Sequence, residues 1–194
     1  MELPEVIIRN RIDYTKSKIK FTDKQREGVE DLVWEAVRQG ITIKEQIAYI
    51  LATAWHETAQ TMQPISEYGS DKYLSKYDTG KLAKDLGNSP GADGDGILYK
   101  GRGYVMITGK SNYDKFSKIL DIDLVKNPEK AKEPQIAAQI AVYGMIHGSF
   151  TTKKLSDYIT STKVDYLNAR RVINGQDKAV TIQGYAQEFN KILL

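Results

Sequence analysis

The sequence predicts a mainly α, single-domain protein with long loops in the middle of the chain. Two helix-start signatures near the N-terminus each open an apolar run of helical period. Helical patterns also fill most of the chain beyond residue 110, and prolines sit where their first turns would be. Between these blocks, residues 64–99 show no period and contain a glycine-rich run. The 194 residues are 41% hydrophobic and 27% charged. That suffices to bury a core in one compact domain, or in one domain of two lobes about a cleft, and excludes a disordered chain.

The first helix follows the capping-box pair Thr22 and Gln25. Val29, Leu32, Val33, Ala36 and Val37 then share one face, and Gly40 is the natural stop. Thr42 and Glu45 form a second capping-box pair. Behind them Ile43, Ile47, Ile50, Leu51, Ala54 and Trp55 make a wide apolar stripe, with Gln46, Tyr49, Thr53 and His56 opposite. This helix is the expected spine of the core. Short helical pieces are expected at 72–77 and 80–86. "GNSPGADGDG" (87–96) must be a loop, and "ILYKGRGYVMIT" (97–108) reads as extended and partly β. Helices are expected over 111–120, 134–147, 163–173 and 178–194, with Pro128 and Pro134 in first turns. One domain then occupies residues 1–194, with residues 1–20 as an extended arm.

Composition narrows the function. There is no cysteine, so disulfides and thiolate chemistry are out. The longest apolar stretch, near 47–55, is far short of a membrane span. Val6-Ile7-Ile8 is too short for a signal-peptide core. The expectation is a cytoplasmic protein that another factor must release if it acts outside. The net charge of +3 comes from mildly basic ends around a mildly acidic middle, too weak for a nucleic-acid footprint.

The chemistry concentrates in "AWHETAQTMQPISEYGS" (54–70). His56 and Glu57 begin like the zinc-protease motif H-E-x-x-H, but that motif needs a second histidine where Gln60 stands. His147 is the only other histidine, so no zinc centre is expected. "DGDG" (93–96) hints at a calcium loop, but Gly91 and Arg102 would fall where the first and last acidic ligands belong. What remains is a pair of carboxylates. Glu57 falls at the border of the apolar stripe and in the last helical turn, where burial and the negative helix end both favour a proton. Glu67 lies beyond Pro64 in a polar loop and should stay ionised. Carboxyls in unlike environments suit glycoside hydrolysis. Spacing alone leaves open an ordinary helix end with two unrelated acids.

A set of phrases adds to this pattern. "HET" at the end of an apolar helix, then "SEYGS", then "YKGRGYVMITGKSNY", resembles glycoside hydrolase family 19, which holds plant-type chitinases and phage lysozyme-like endolysins. "DLVKNPEKA", "HGSFTTKKLSDYI" and "RRVINGQD" resemble the endolysin branch, and the likeness spans about residues 20–190. The resemblance implies a lysozyme-like, two-lobed single domain with a substrate cleft. It makes Glu57 the general acid and Glu67 the general base, with Thr108 helping to hold the attacking water. It implies that Asn112 and Asn174 bind sugar and that Arg102 braces a loop. Tyr68, Tyr99 and Tyr104 are candidates to stack on sugar rings or, equally, to pack beneath the loops. His56 should pack or hydrogen-bond beside Glu57 without moving protons.

Two departures stand out. Met106 occupies a position where the family usually has glutamine, and Ala59 and Gln60 stand where glycines are common. The expected function is an endolysin that cuts peptidoglycan glycan strands by inversion. Alternatives are a chitinase, a lytic transglycosylase using Glu57 alone, or a carbohydrate-binding protein that has lost catalysis. No metal or organic cofactor is expected, and no nucleic-acid partner. A monomer is expected, without stable membrane insertion and released through a holin.

Overall fold

A computed structural model describes residues 11–194. The described helices are α1 (Asp23–Arg38), α2 (Lys44–Glu57), α3 (Asp71–Leu74), α4 (Gly80–Leu86), α5 (Asp95–Leu98), α6 (Lys110–Leu120), α7 (Pro134–His147), α8 (Tyr166–Ala169) and α9 (Ala179–Ile192). Two short strands, β1 (Ile65–Ser66) and β2 (Arg102–Gly103), complete a mainly helical chain. The chain divides into two compact units: one from the chain up to Gln63 and from Ala141 onward, the other from Pro64–Ile140.

In the first unit α1 begins as the sequence predicts. The Thr22 amide donates to Gln25 Oε1 at 2.8 Å, and the Gln25 amide donates to Thr22 Oγ1 at 3.3 Å. It ends in a Schellman turn. Gly40 has φ +84°, its amide donates to Val37 O, and the Ile41 amide donates to Ala36 O, both at 3.0 Å. Only glycine enters that region without a Cβ penalty.

The second capping box does not form. Ile43 is the N-cap of α2, without a side-chain cap bond, so Thr42 lies one residue outside the position it would need. The stripe on α2 is also wider than expected. Tyr49 and Thr53, read as part of a polar face, are buried, and Thr53 satisfies its hydroxyl on Tyr49 O at 2.9 Å. The helix is a spine buried on nearly every side. Trp55 packs edge-on against Phe21 and Phe189 of α9, at 5.7 and 5.8 Å between ring centroids.

After α2 the chain turns back through Ala59, Gln60 and Met62, at φ +49°, +68° and +52°. Glycine is suited to such positions, which gives a physical reason for the glycines expected at two of them. The turn presses on α1 at Gly28, where a Cβ would come within 1.9 Å of Met62 O.

Residues 11–20, the second half of the expected arm, lie along the end of α9. The Asp13 amide donates to Ile192 O at 2.7 Å, and the Leu194 amide donates to Arg11 O at 2.9 Å. Residues 1–10 fall outside the described residues. The helix expected over 163–173 is cut short. Val164 pairs with Ile159 in a bridge, and Asp165 caps α8 by accepting from the Asn168 amide at 3.1 Å. Only α8 and a 3-10 turn, Arg170–Val172, follow. The apolar residue counted toward a helix is used by the bridge instead.

In the second unit α3, the 3-10 turn Ser75–Tyr77 and α4 occupy the two segments expected to be helical. The segment expected to be extended is mostly not. Its first two residues belong to α5, and only Arg102 and Gly103 form strand, with Ile65 opposite Gly103 and Ser66 opposite Arg102. The last two residues of the expected loop, Asp95 and Gly96, belong to α5 instead, and Gly96 serves close packing. A Cβ there would meet Leu74 O at 2.6 Å and Tyr77 Cβ at 3.0 Å. Helix α6 contributes Tyr113 and Phe116 to the core. Pro128 and Pro134 open the 3-10 turn Pro128–Lys132 and α7, as predicted. No described helix is long and apolar enough to cross a membrane.

Candidate active site

Glu57 is the last residue of α2. Its side chain is 19% exposed, and Arg170, 4% exposed, donates through Nη1 to Glu57 Oε1 at 2.8 Å. Arg170 Nε donates to Asp177 O at 3.0 Å, which fixes the guanidinium from its other edge. Tyr49 belongs to the same surroundings. Burial pushes its phenol well above the ordinary range, Arg170 pulls it down and Glu57 pushes it up, so it remains neutral. Carbonyls of the last helical turn find partners just beyond it. The Thr58 amide and hydroxyl donate to Ala54 O at 3.0 and 2.7 Å, and the Gln60 amide donates to Trp55 O at 2.7 Å. Sequence reasoning missed Arg170. The "RR" of "RRVINGQD" does not reveal which arginine turns inward, and the 3-10 turn decides it: Arg170 is buried and Arg171 exposed. His56 is half-buried beside Glu57 in the chain. Asn174 is exposed, and its Oδ1 accepts from the Gly175 amide at 2.8 Å.

In the second unit Glu67 follows β1 and is held by Gly101. The Glu67 amide donates to Gly101 O at 2.7 Å, and the Gly101 amide donates to Glu67 Oε2 at 3.2 Å. The other carboxylate oxygen, Oε1, accepts from the Tyr77 hydroxyl at 3.0 Å. Gly101 is also a spacer. A Cβ there would meet Thr108 Oγ1 at 3.2 Å and both Glu67 Cβ and Oε2 at 3.3 Å. Thr108 and Glu67 therefore approach one point closely, and a side chain at Gly101 would press on both. Thr108 Oγ1 donates to Met106 O at 3.0 Å, and Asn112 Nδ2 donates to Thr108 O at 2.8 Å. Met106 itself turns at φ +53°.

Arg102 is buried beneath this loop. It donates to Glu129 Oε1 through Nε and Nη2, at 2.9 and 2.7 Å. Its Nη1 donates to Leu98 O and to the Tyr113 hydroxyl, both at 2.9 Å. It braces the loop from inside and presents no face to a ligand. Tyr68 is fully exposed and open to stacking. Tyr104 is 1% exposed and Tyr99 is buried. Neither offers a ring face to a sugar, so for both the stacking expectation gives way to packing beneath the loops. Tyr99 packs at 5.4 Å against Tyr113, whose phenol burial pushes up to about 12.

Among the described residues no group of three or more His, Cys, Asp or Glu is placed to hold a metal ion. The Asp95 carboxylate of the "DGDG" loop is taken up within the unit, by the Ser89 amide at 2.9 Å and Lys110 at 3.6 Å. His147 lies against the Tyr143 ring, 4.1 Å between centroids.

No family model matches the chain. Solved structures do resemble it. Chitinase C from Streptomyces griseus is 17% identical, with a TM-score of 0.61 over 97% of this chain and 77% of the other. A bacterial family 19 chitinase is 16% identical, with a TM-score of 0.56 over 98% and 94%. A family 19, class IV chitinase from Zea mays is 16% identical, with a TM-score of 0.52 over 97% and 90%. At these identities the likeness is one of fold, and the fold is chitinase-like.

Proposed function

We propose that the chain is a single-domain glycoside hydrolase that cleaves the glycan strands of peptidoglycan with inversion. The observation that carries the reading is the cluster of Glu67, Gly101 and Thr108. Two phrases far apart in the sequence meet there: "SEYGS" supplies a carboxylate, and "YKGRGYVMITGKSNY" supplies both an amide that holds it and a hydroxyl beside it. A base that must aim a water molecule needs such a group.

In the proposed reaction Glu57 gives its proton to the glycosidic oxygen as the bond from that oxygen to the anomeric carbon breaks. Water attacks the anomeric carbon from the opposite face, and Glu67 takes the proton it loses. Thr108 helps to orient that water. Glu57 ends as the carboxylate that pairs with Arg170 at 2.8 Å in the structure. Solvent exchange returns both carboxyls to their starting states, so no metal or organic cofactor enters. Tyr68, Asn112 and Asn174 are the proposed sugar contacts.

The endolysin-like phrases favour peptidoglycan over chitin, and with it a monomer released from a host cytoplasm through a holin. The solved structures favour a second reading, since each is named a chitinase. Parallel assays on purified peptidoglycan and on chitin oligomers, with mass spectrometry of the new reducing ends, separate the two. Clearing of cell walls with slow chitin turnover supports the endolysin. Faster turnover of chitin with little clearing moves the protein to the chitinases. Product NMR tests the mechanism, because a retained anomer would exclude Glu67 as a base toward water.

A further inference from the structure

We infer that Tyr77 is a positioning residue for the base: its phenol, steadied by Lys76, orients the Glu67 carboxylate for the attacking water. The inference rests on the proposed role of Glu67.

The geometry divides the carboxylate between two donors. Oε1 accepts from the Tyr77 hydroxyl at 3.0 Å, and Oε2 accepts from the Gly101 amide at 3.2 Å. The donors come from different segments, so together they set the plane of the carboxylate. A carboxylate offers about four acceptor sites, and these bonds use one on each oxygen. Acceptor capacity remains for a water proton. Both donors are neutral. They fix the orientation of the carboxylate without placing a positive charge beside the group that must receive a proton. Burial holds the Tyr77 phenol above its ordinary range, against a pull from Lys76, so it stays a donor.

Tyr77 is itself held on three sides. Its carbonyl accepts from Asn88 Nδ2 at 3.0 Å. Its Cβ lies against Gly96, where any side chain would collide. The Lys76 ammonium sits 3.4 Å from the Tyr73 ring centroid and 4.5 Å from that of Tyr77. A cation between two aromatic faces attracts both and limits rotation of the ring that carries the hydroxyl. Lys76 is exposed, so water weakens this hold, and Lys76 contributes less than the phenol.

A phenol that merely satisfied a half-buried loop carboxylate would add to folding and not to turnover. Tyr77→Phe removes only the oxygen, and kcat, KM and melting temperature of the full chain separate the two roles. The expected result is a fall in kcat on the order of tenfold, with KM within about twofold and a melting temperature close to native, as loss of aim without loss of binding requires. Lys76→Met should lower kcat by about two- to threefold, because the clamp is exposed.

Glu67→Ala supplies the control. Azide attacks the anomeric carbon as an anion and has no proton to lose, so it should restore turnover without a base. That rescued turnover should not respond to adding Tyr77→Phe. Native kcat in Tyr77→Phe, or an equal loss when the substitution is added to azide-rescued Glu67→Ala, would overturn the inference and leave the function standing. Full activity in Glu67→Ala without azide would overturn the function itself.

Discussion

Glu57→Gln tests stability and catalysis in one protein, and the structure sets different magnitudes for the two. Glu57 and Arg170 form a largely buried pair, 19% and 4% exposed. Removing one partner of a buried pair outright costs about 3–5 kcal/mol. Glutamine does less harm, because its amide oxygen can still accept from Arg170 Nη1, and Arg170 Nε keeps the Asp177 carbonyl. What is lost is the charge. A charge-assisted bond contributes roughly 1.5–3 kcal/mol and a neutral one roughly 0.5–1.5, so the expected cost is about 1–1.5 kcal/mol. For a chain of this size that lowers the melting temperature by about 2–6 °C. Glu57→Ala, with no acceptor at all, should cost about 3 kcal/mol. Activity should not distinguish the two substitutions. Neither can donate the proton, and each should lose ~10²-fold or more in kcat. Thermal melts by circular dichroism and a wall-clearing or reducing-sugar assay read both quantities. Equal melting temperatures for native, Gln and Ala proteins would refute the ion-pair reasoning. A folded Glu57→Gln protein at native rate would refute the acid.

Gly28→Ala should cost about 3 kcal/mol or more in urea denaturation, because its Cβ would come within 1.9 Å of the Met62 carbonyl; an unchanged midpoint would contradict that packing. Ala59→Gly should stabilise by about 0.5–1 kcal/mol, since Ala59 sits at φ +49°; a lower midpoint in the variant would count against this. Gly101→Ala should cut kcat by roughly 10-fold or more, because the new methyl wedges between Thr108 and Glu67; unaltered kinetics would mean the pair is not aligned for catalysis. Lys132, then Arg102, hold Glu129 below the usual carboxylate range. A depressed acid contributes stability that is fully present above its unfolded value and is lost as pH falls through its folded value. Glu129 is 63% exposed, so the contribution stays below about 1 kcal/mol. The gap in urea midpoint between the native protein and Glu129→Gln should close on acidification; a gap that widens would reverse the sign.

The sequence by itself determined the helical class and the ends of several helices, because these depend on neighbours along the chain. The Thr22 box, the Gly40 stop and the two prolines act over three or four residues, and the structure places them as predicted. It also singled out Glu57, Glu67 and Thr108 as the groups to examine. Where a residue's neighbours in space outweigh those in sequence, only the tertiary structure decided. Val164 is drawn into a bridge with Ile159, so a helix expected from periodicity shrinks to one turn. Ile43 and not Thr42 caps α2, because packing of the whole helix sets its first turn. Tyr104 and Tyr68 are alike in composition, yet one is buried and the other open. The side chains that grip the carboxylates, Arg170 on Glu57 and Tyr77 on Glu67, carry no mark in the sequence. Their roles depend on which way a 3-10 turn rotates each side chain, and the packing beneath each turn sets that rotation.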